Sequence, residues 1–105
     1  MNLVVHGHGR VSPAAHSYAH RKISGLDKFA GGPVLFAKVD LIAHPDPARG
    51  RGALAKAEFD VNGRMVRAHA EARTMHAAID ELESRLGGRL KEDRRNGHRN
   101  HDGPA

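Results

Sequence analysis

Ala53-Leu54-Ala55-Lys56-Ala57-Glu58-Phe59-Asp60-Val61-Asn62-Gly63-Arg64-Met65-Val66-Arg67-Ala68-His69-Ala70-Glu71-Ala72-Arg73 has a period of two on either side of a single dipeptide. Side chains of a strand alternate between its two faces, so this pattern predicts two half-buried strands. Asn62-Gly63 suits the two-residue hairpin turn, whose central residues both need positive φ. Ala53, Ala55, Ala57, Phe59, Val61, Val66, Ala68, Ala70 and Ala72 form one face; Leu54, Lys56, Glu58, Asp60, Arg67, His69, Glu71 and Arg73 form the other. The inner face is mostly alanine, so helices laid on it can approach closely. A sheet that is apolar on one side requires such a covering layer.

Working outward, Val34 to Ala43 also alternates, with Leu35, Ala37, Val39 and Leu41 opposite Phe36, Lys38, Asp40 and Ile42. The intervening stretch, His44 to Gly52, holds two prolines and two glycines and predicts a loop. Earlier in the chain, Ala15, Ala19, Ile23, Leu26 and Ala30 recur at helical spacing. Ser12 can cap that helix and Pro13 suits its first position, while Gly31-Gly32-Pro33 ends it, which predicts a helix over Ser12–Ala30. Asn2 to His6 reads as a short strand closed by a glycine-rich turn. After the hairpin, Met75, Ala78, Ile79, Leu82, Leu86 and Leu90 form a helical stripe starting at about Thr74, with Gly87-Gly88 a place to bend or fray. Beyond Glu92 no apolar residue follows until Pro104, and the composition predicts a disordered tail. The expected organisation is a folded domain over 1–91 and a basic, histidine-containing tail over 92–105.

The order strand, helix, strand, strand, strand, helix predicts an α+β two-layer sandwich, a four-stranded mixed sheet with two helices packed on one face. The first two strands, joined through a helix, should pair in parallel with a right-handed crossover, and the others antiparallel. A length of 105 residues suits one domain, and 39% hydrophobic content is too high for a wholly disordered chain. The absence of cysteine excludes a disulfide scaffold, a thiolate nucleophile and a cysteine zinc site. No segment approaches the ~18 apolar residues of a membrane span, and the amino end offers only Leu3, Val4 and Val5. The expectation is a soluble, cytoplasmic protein without membrane contact.

For catalysis the sequence offers little. His16 and His20 have the spacing of a helical zinc site, but Ser17 stands where a metalloprotease carries its glutamate base, and both histidines fall off the apolar stripe. His6 and His8, two apart, share one face of a continued strand, and His98 with His101 lies in the tail; either pair suits adventitious metal capture, and neither indicates a dedicated site. No phosphate loop, dinucleotide fingerprint or nucleophile elbow is present, and nothing pairs a nucleophile with a base. The reading is of a protein that is not an enzyme and needs no metal, cofactor or small-molecule substrate.

Charge points elsewhere. Seventeen Lys and Arg against twelve Asp and Glu give a net charge of +5 and make a polyanion a natural partner. On the first helix Lys28 is exposed and Lys22 lies at the edge of the apolar stripe, its ammonium snorkelling to water. On the second, Arg85 and Arg89 hold the equivalent margin, with Glu81 one turn before Arg85. Arg49 and Arg51 add charge in the loop. The topology runs the two helices roughly parallel, so one set, Lys22 or Arg85 with Arg89, must line an outer edge. Exposed aromatics are few, Phe36 and Tyr18, which favours phosphate and shape recognition of structured RNA over base reading. These residues alone leave open a generic structured-RNA binder, or a dimeric interaction module without RNA affinity, associating through a sheet edge or the helix face.

Thr74-Met75-His76-Ala77-Ala78-Ile79-Asp80-Glu81-Leu82, followed by Arg85 and Leu86, resembles the start of the second helix in the ribosome hibernation promoting factors, also called ribosome-associated inhibitors or sigma-54 modulation proteins. Tyr18 to Phe29, with Lys22 and Leu26, is similar to the family's lysine-bearing helix, and Asn62-Gly63 leading through an alternating strand into a helix also fits. The likeness covers about residues 2 to 91 and is to the short form of the family. Thr74, His76, Gly88 and Glu92 depart from its usual pattern, and Gly88 and Glu92, standing where basic residues are common, make the second helix less cationic. The resemblance implies a non-enzymatic translation inhibitor that occupies the decoding region of the small ribosomal subunit, against rRNA, where mRNA and tRNA would bind in active ribosomes. It implies rRNA phosphate contacts by Lys22, Lys28, Arg85 and Arg89, with Lys91 and Arg64 as weaker candidates.

Overall fold

The architecture is that of a computed structural model describing residues 2–43 and 52–101, with side chains described through residue 96. Strand β1 (Leu3–His8) leads through helix α1 (Pro13–Ser24) and a 3-10 turn (Gly25–Phe29) to β2 (Val34–Ala43). The hairpin β3 (Ala53–Val61) and β4 (Arg64–Ala72) follows, then helix α2 (Met75–His101). The strands lie in the order β1-β2-β3-β4, parallel between β1 and β2 and antiparallel elsewhere. This is the α+β sandwich that the alternation predicts. The loop residues Arg49 and Arg51, like residues 102–105 and the side chains of His98 and His101, lie outside what is described.

The hairpin forms as its sequence dictates. Asn62 and Gly63 have φ of 53° and 94°, and the Asp60 carboxylate accepts from the Gly63 amide at 2.8 Å, tying down the turn. Ala53, Ala55, Ala57, Phe59, Val61, Val66, Ala68 and Ala70 are buried beneath Ala19, Ile23 and Leu26 on one side and Ala78, Ile79, Leu82, Leu86 and Leu90 on the other. Both helices begin on side-chain caps: Ser12 Oγ accepts from the Ala15 amide and Thr74 Oγ1 from the Ala77 amide, each at 3.1 Å.

Four expectations are revised. β1 continues to His8, because pairing with β2 extends to His8 opposite Ile42. α1 ends at Ser24 and tightens into the 3-10 turn at Gly25, where glycine weakens the α-helical ladder. Leu35 does not join Ala37 inside; a register irregularity between Val34 and Phe36 turns it out, leaving it 55% exposed. Finally, α2 passes through Gly87-Gly88 without a break and continues to His101, through the stretch assigned by composition to a disordered tail. Tertiary contacts hold the start of that continuation: Asp93 pairs with Arg64, and the Arg94 backbone lies so close to Gly31 that a Cβ there would come within 2.9 Å of its Cα.

Candidate nucleic-acid interface

The two helices run side by side in the same direction. Tyr18 meets His76 and Asp80, Lys22 meets Asp80 and Glu83, Leu26 faces Gly87, Phe29 faces Lys91, and Gly31 faces Arg94. This alignment decides which basic margin lines the groove. Lys22 does: its ammonium lies 3.6 Å from a Glu83 oxygen and 4.0 Å from Asp80, and the charge of Glu83 raises its pKa. Tyr18 donates its hydroxyl to Asp80, which raises the phenol's pKa, and stacks on the His76 ring at 4.5 Å between centroids. Arg21 and Lys22 both sit 5.5 Å from the Tyr18 ring centroid, within cation–π range.

Arg85 lies on the outer edge instead. It donates to the Glu81 carboxylate at 2.7 Å and to the backbone carbonyl of His69 on β4 at 2.9 Å. Arg64 is fully engaged from the hairpin side: Nε and Nη2 both donate to Asp93, at 3.2 and 3.1 Å, and the bond keeps its pKa raised.

The other three candidates differ in kind. Lys28 and Lys91, one from the 3-10 turn and one from α2, place their ammonium groups 5.2 and 4.4 Å from the centroid of the same Phe29 ring. Neither has a carboxylate partner among the described residues, and both are exposed. Arg89, also exposed, has none either. Two like charges drawn to one ring repel each other, and a bound anion lessens that repulsion. Arg94 and Arg95, three and four residues past Lys91, prolong its helix face and are exposed too. Helical spacing from Lys91 marks them in the sequence, once the helix is known to continue.

Thus the six sequence-derived cations fall into two groups. Lys22, Arg85 and Arg64 are held by carboxylates, whereas Lys28, Lys91 and Arg89 present open charge. Among the described residues no group of three metal-ligating side chains converges, and no described helix is long and apolar enough to cross a membrane.

The family model for the sigma 54 modulation protein / S30EA ribosomal protein matches residues 3–96. The chain belongs to that family. It is a ribosome-associated family, and the match runs past Lys91 into the continuation of α2 that the ion pair anchors. Among solved structures, the chain is similar to the N-terminal domain of protein Y from Thermus thermophilus, at 30% identity and a TM-score of 0.70 over 88% of this chain and 98% of that one. It shares its fold with a ribosomal subunit interface protein from Coxiella burnetii, at 18% identity and a TM-score of 0.70, over 88% of this chain and 96% of that one. No curated protein matches the chain.

Proposed function

We propose that this protein binds the small ribosomal subunit through rRNA at the decoding region and, by excluding mRNA and tRNA, holds idle ribosomes inactive in the cytoplasm under stress or in stationary phase. The observation that carries the reading is membership of the S30EA ribosomal protein family over residues 3–96. The likeness to the protein Y domain supports it. The surface that would meet phosphate is the end of the helix layer around Phe29, where Lys28 and Lys91 converge, continued along α2 to Arg89. Each open ammonium or guanidinium that replaces condensed counterions on RNA contributes affinity, whereas a cation already paired must first give up its carboxylate. Lys22 therefore contributes less to RNA contact than to joining the two helices, and Arg64 and Arg85 less than to holding α2 on the sheet.

Sedimentation with ribosomes and with isolated small subunits, at low and high salt, tests the proposal. Salt-sensitive co-sedimentation with the small subunit, displaced by mRNA and tRNA but not by plain duplex RNA, is expected. Failure to co-sediment even at low salt would overturn it, and equal competition by duplex RNA would leave only a general structured-RNA binder.

A further inference from the structure

The sheet has two edges, and they are treated differently. A free strand edge offers unpaired N–H and C=O groups to any passing strand, and proteins blunt such edges with charge, proline or a covering group. β4 is blunted: it carries Arg64, Arg67 and Glu71, and the Arg85 guanidinium reaches across from α2 to occupy the His69 carbonyl at 2.9 Å. β1 is not. Its sequence Leu3-Val4-Val5-His6-Gly7-His8 contains no Lys, Arg, Asp, Glu or Pro, and among the described residues it pairs only with β2.

The orientation of the open groups follows from the ladder. The Ala37 amide donates to the Asn2 carbonyl at 2.8 Å, so the backbone groups of Asn2 point toward β2. Backbone groups alternate along a strand, which directs Val4, His6 and His8 inward and leaves the N–H and C=O of Leu3, Val5 and Gly7 facing outward. No hydrogen bond from the described residues reaches that side.

We propose that this edge pairs with β1 of a second copy of the chain, antiparallel about a two-fold axis through Val5, joining two four-stranded sheets into one. The strand is complementary to itself in that register. Val5 faces its own copy, and each Leu3 lies opposite the partner's Gly7, so both backbone groups of all three residues find partners. On the helix side Leu3 lies opposite the partner's Gly7, whose own face is covered by the His16 ring and Val11, so Leu3 would pack against those side chains; on the outer face Val4, 37% exposed, lies beside the partner's His6. No lysine, arginine or carboxylate within the strand is brought against another, which distinguishes this edge from the charged β4. The inference does not depend on the ribosome reading, and either can fail alone.

The chain has no cysteine, so one introduced thiol reports on one contact. In the paired form Val5→Cys would face its own copy at about 5.5 Å between Cα atoms, inside the range a disulfide spans. Met65→Cys, on exposed β4, is the control. Light scattering of the unmodified protein should show the mass rising toward twice that of one chain as concentration rises. Val5→Cys should oxidise to a covalent dimer at least tenfold faster than Met65→Cys. Val5→Pro loses only an outward-facing N–H and should remain folded by circular dichroism while staying monomeric. If Val5→Pro does not fold, the two thiol rates still decide. A mass that stays at one chain over the whole concentration range, or equal oxidation of the two variants, overturns the proposal.

Discussion

Asp40 stands on the outer face of the sheet with nitrogen-bearing side chains on three sides. His8 Nε2 lies 3.0 Å from its carboxylate on one side, Lys38 3.7 Å away on another, and His6 is its register partner across β1. Partial burial pushes the carboxyl's pKa up, but the hydrogen bond from His8 and the charge of Lys38 outweigh it and hold the pKa below the ordinary value. A carboxylate with a depressed pKa in the folded state contributes stability that is complete above the ordinary carboxylate range and is lost as pH falls through the folded value. His8→Ala should therefore raise the Asp40 midpoint and start the acid loss of stability at a higher pH. An NMR titration of the Asp40 carboxyl carbon, with urea unfolding at several pH values, reads both; an unmoved midpoint would show that His8 does not hold this carboxylate. Gly31 is the other residue where one atom decides. A Cβ there would stand 2.9 Å from Arg94 Cα, and backbone cannot give way cheaply, so Gly31→Ala should cost about 1–3 kcal/mol, as overpacking does. Unchanged unfolding by urea would mean that α2 does not rest on Gly31.

At the scale of elements, α2 carries two helix-weakening glycines in different surroundings. Gly87 faces Leu26, 3.6 Å from where a Cβ would be, while a Cβ on Gly88 would meet nothing within 4 Å. Gly88→Ala should then stabilise the protein by about 1 kcal/mol through helix propensity alone. For a domain this size that corresponds to a melting temperature roughly 4–8 °C higher, and calorimetry would detect its absence. How far an element could be read from sequence followed from the range of the interactions that define it. The hairpin was legible almost residue by residue, because alternation and Asn62-Gly63 are local. So was the stripe from Ala78 to Leu90. Leu35 was not, since a bulge is a property of two strands in register. The continuation of α2 was not legible either: Asp93 and Arg94 carry no apolar periodicity, and what holds them, Arg64 and Gly31, lies 29 and 63 positions earlier in the chain. The candidate interface was half legible for the same reason. Basic residues and their margins could be listed, but the carboxylates that engage Lys22 come from a helix about sixty residues away.

For the whole molecule, the net charge of +5 is a poor guide to where a polyanion would act, because the cations are not equivalent. Lys22 faces Asp80 and Glu83, Arg64 faces Asp93, and Arg85 faces Glu81, so these ion pairs present little net charge to a distant phosphate. Lys28, Arg89 and Lys91 present theirs undiminished. If the ribosome is the partner, the dependence of affinity on salt separates the two groups. Each phosphate contact removed should flatten the slope of log K against log salt by about 0.7–0.9. Lys28→Ala with Lys91→Ala should flatten it by roughly twice that amount and weaken binding at low salt, with unfolding unchanged. Lys22→Ala should behave oppositely, lowering resistance to urea by removing the cation between α1 and α2 while leaving the slope nearly as it was. Should Lys22→Ala flatten the slope as much as a change at Lys91 does, Lys22 must exchange its carboxylates for phosphate on binding, and the groove between the helices would then be part of the contact.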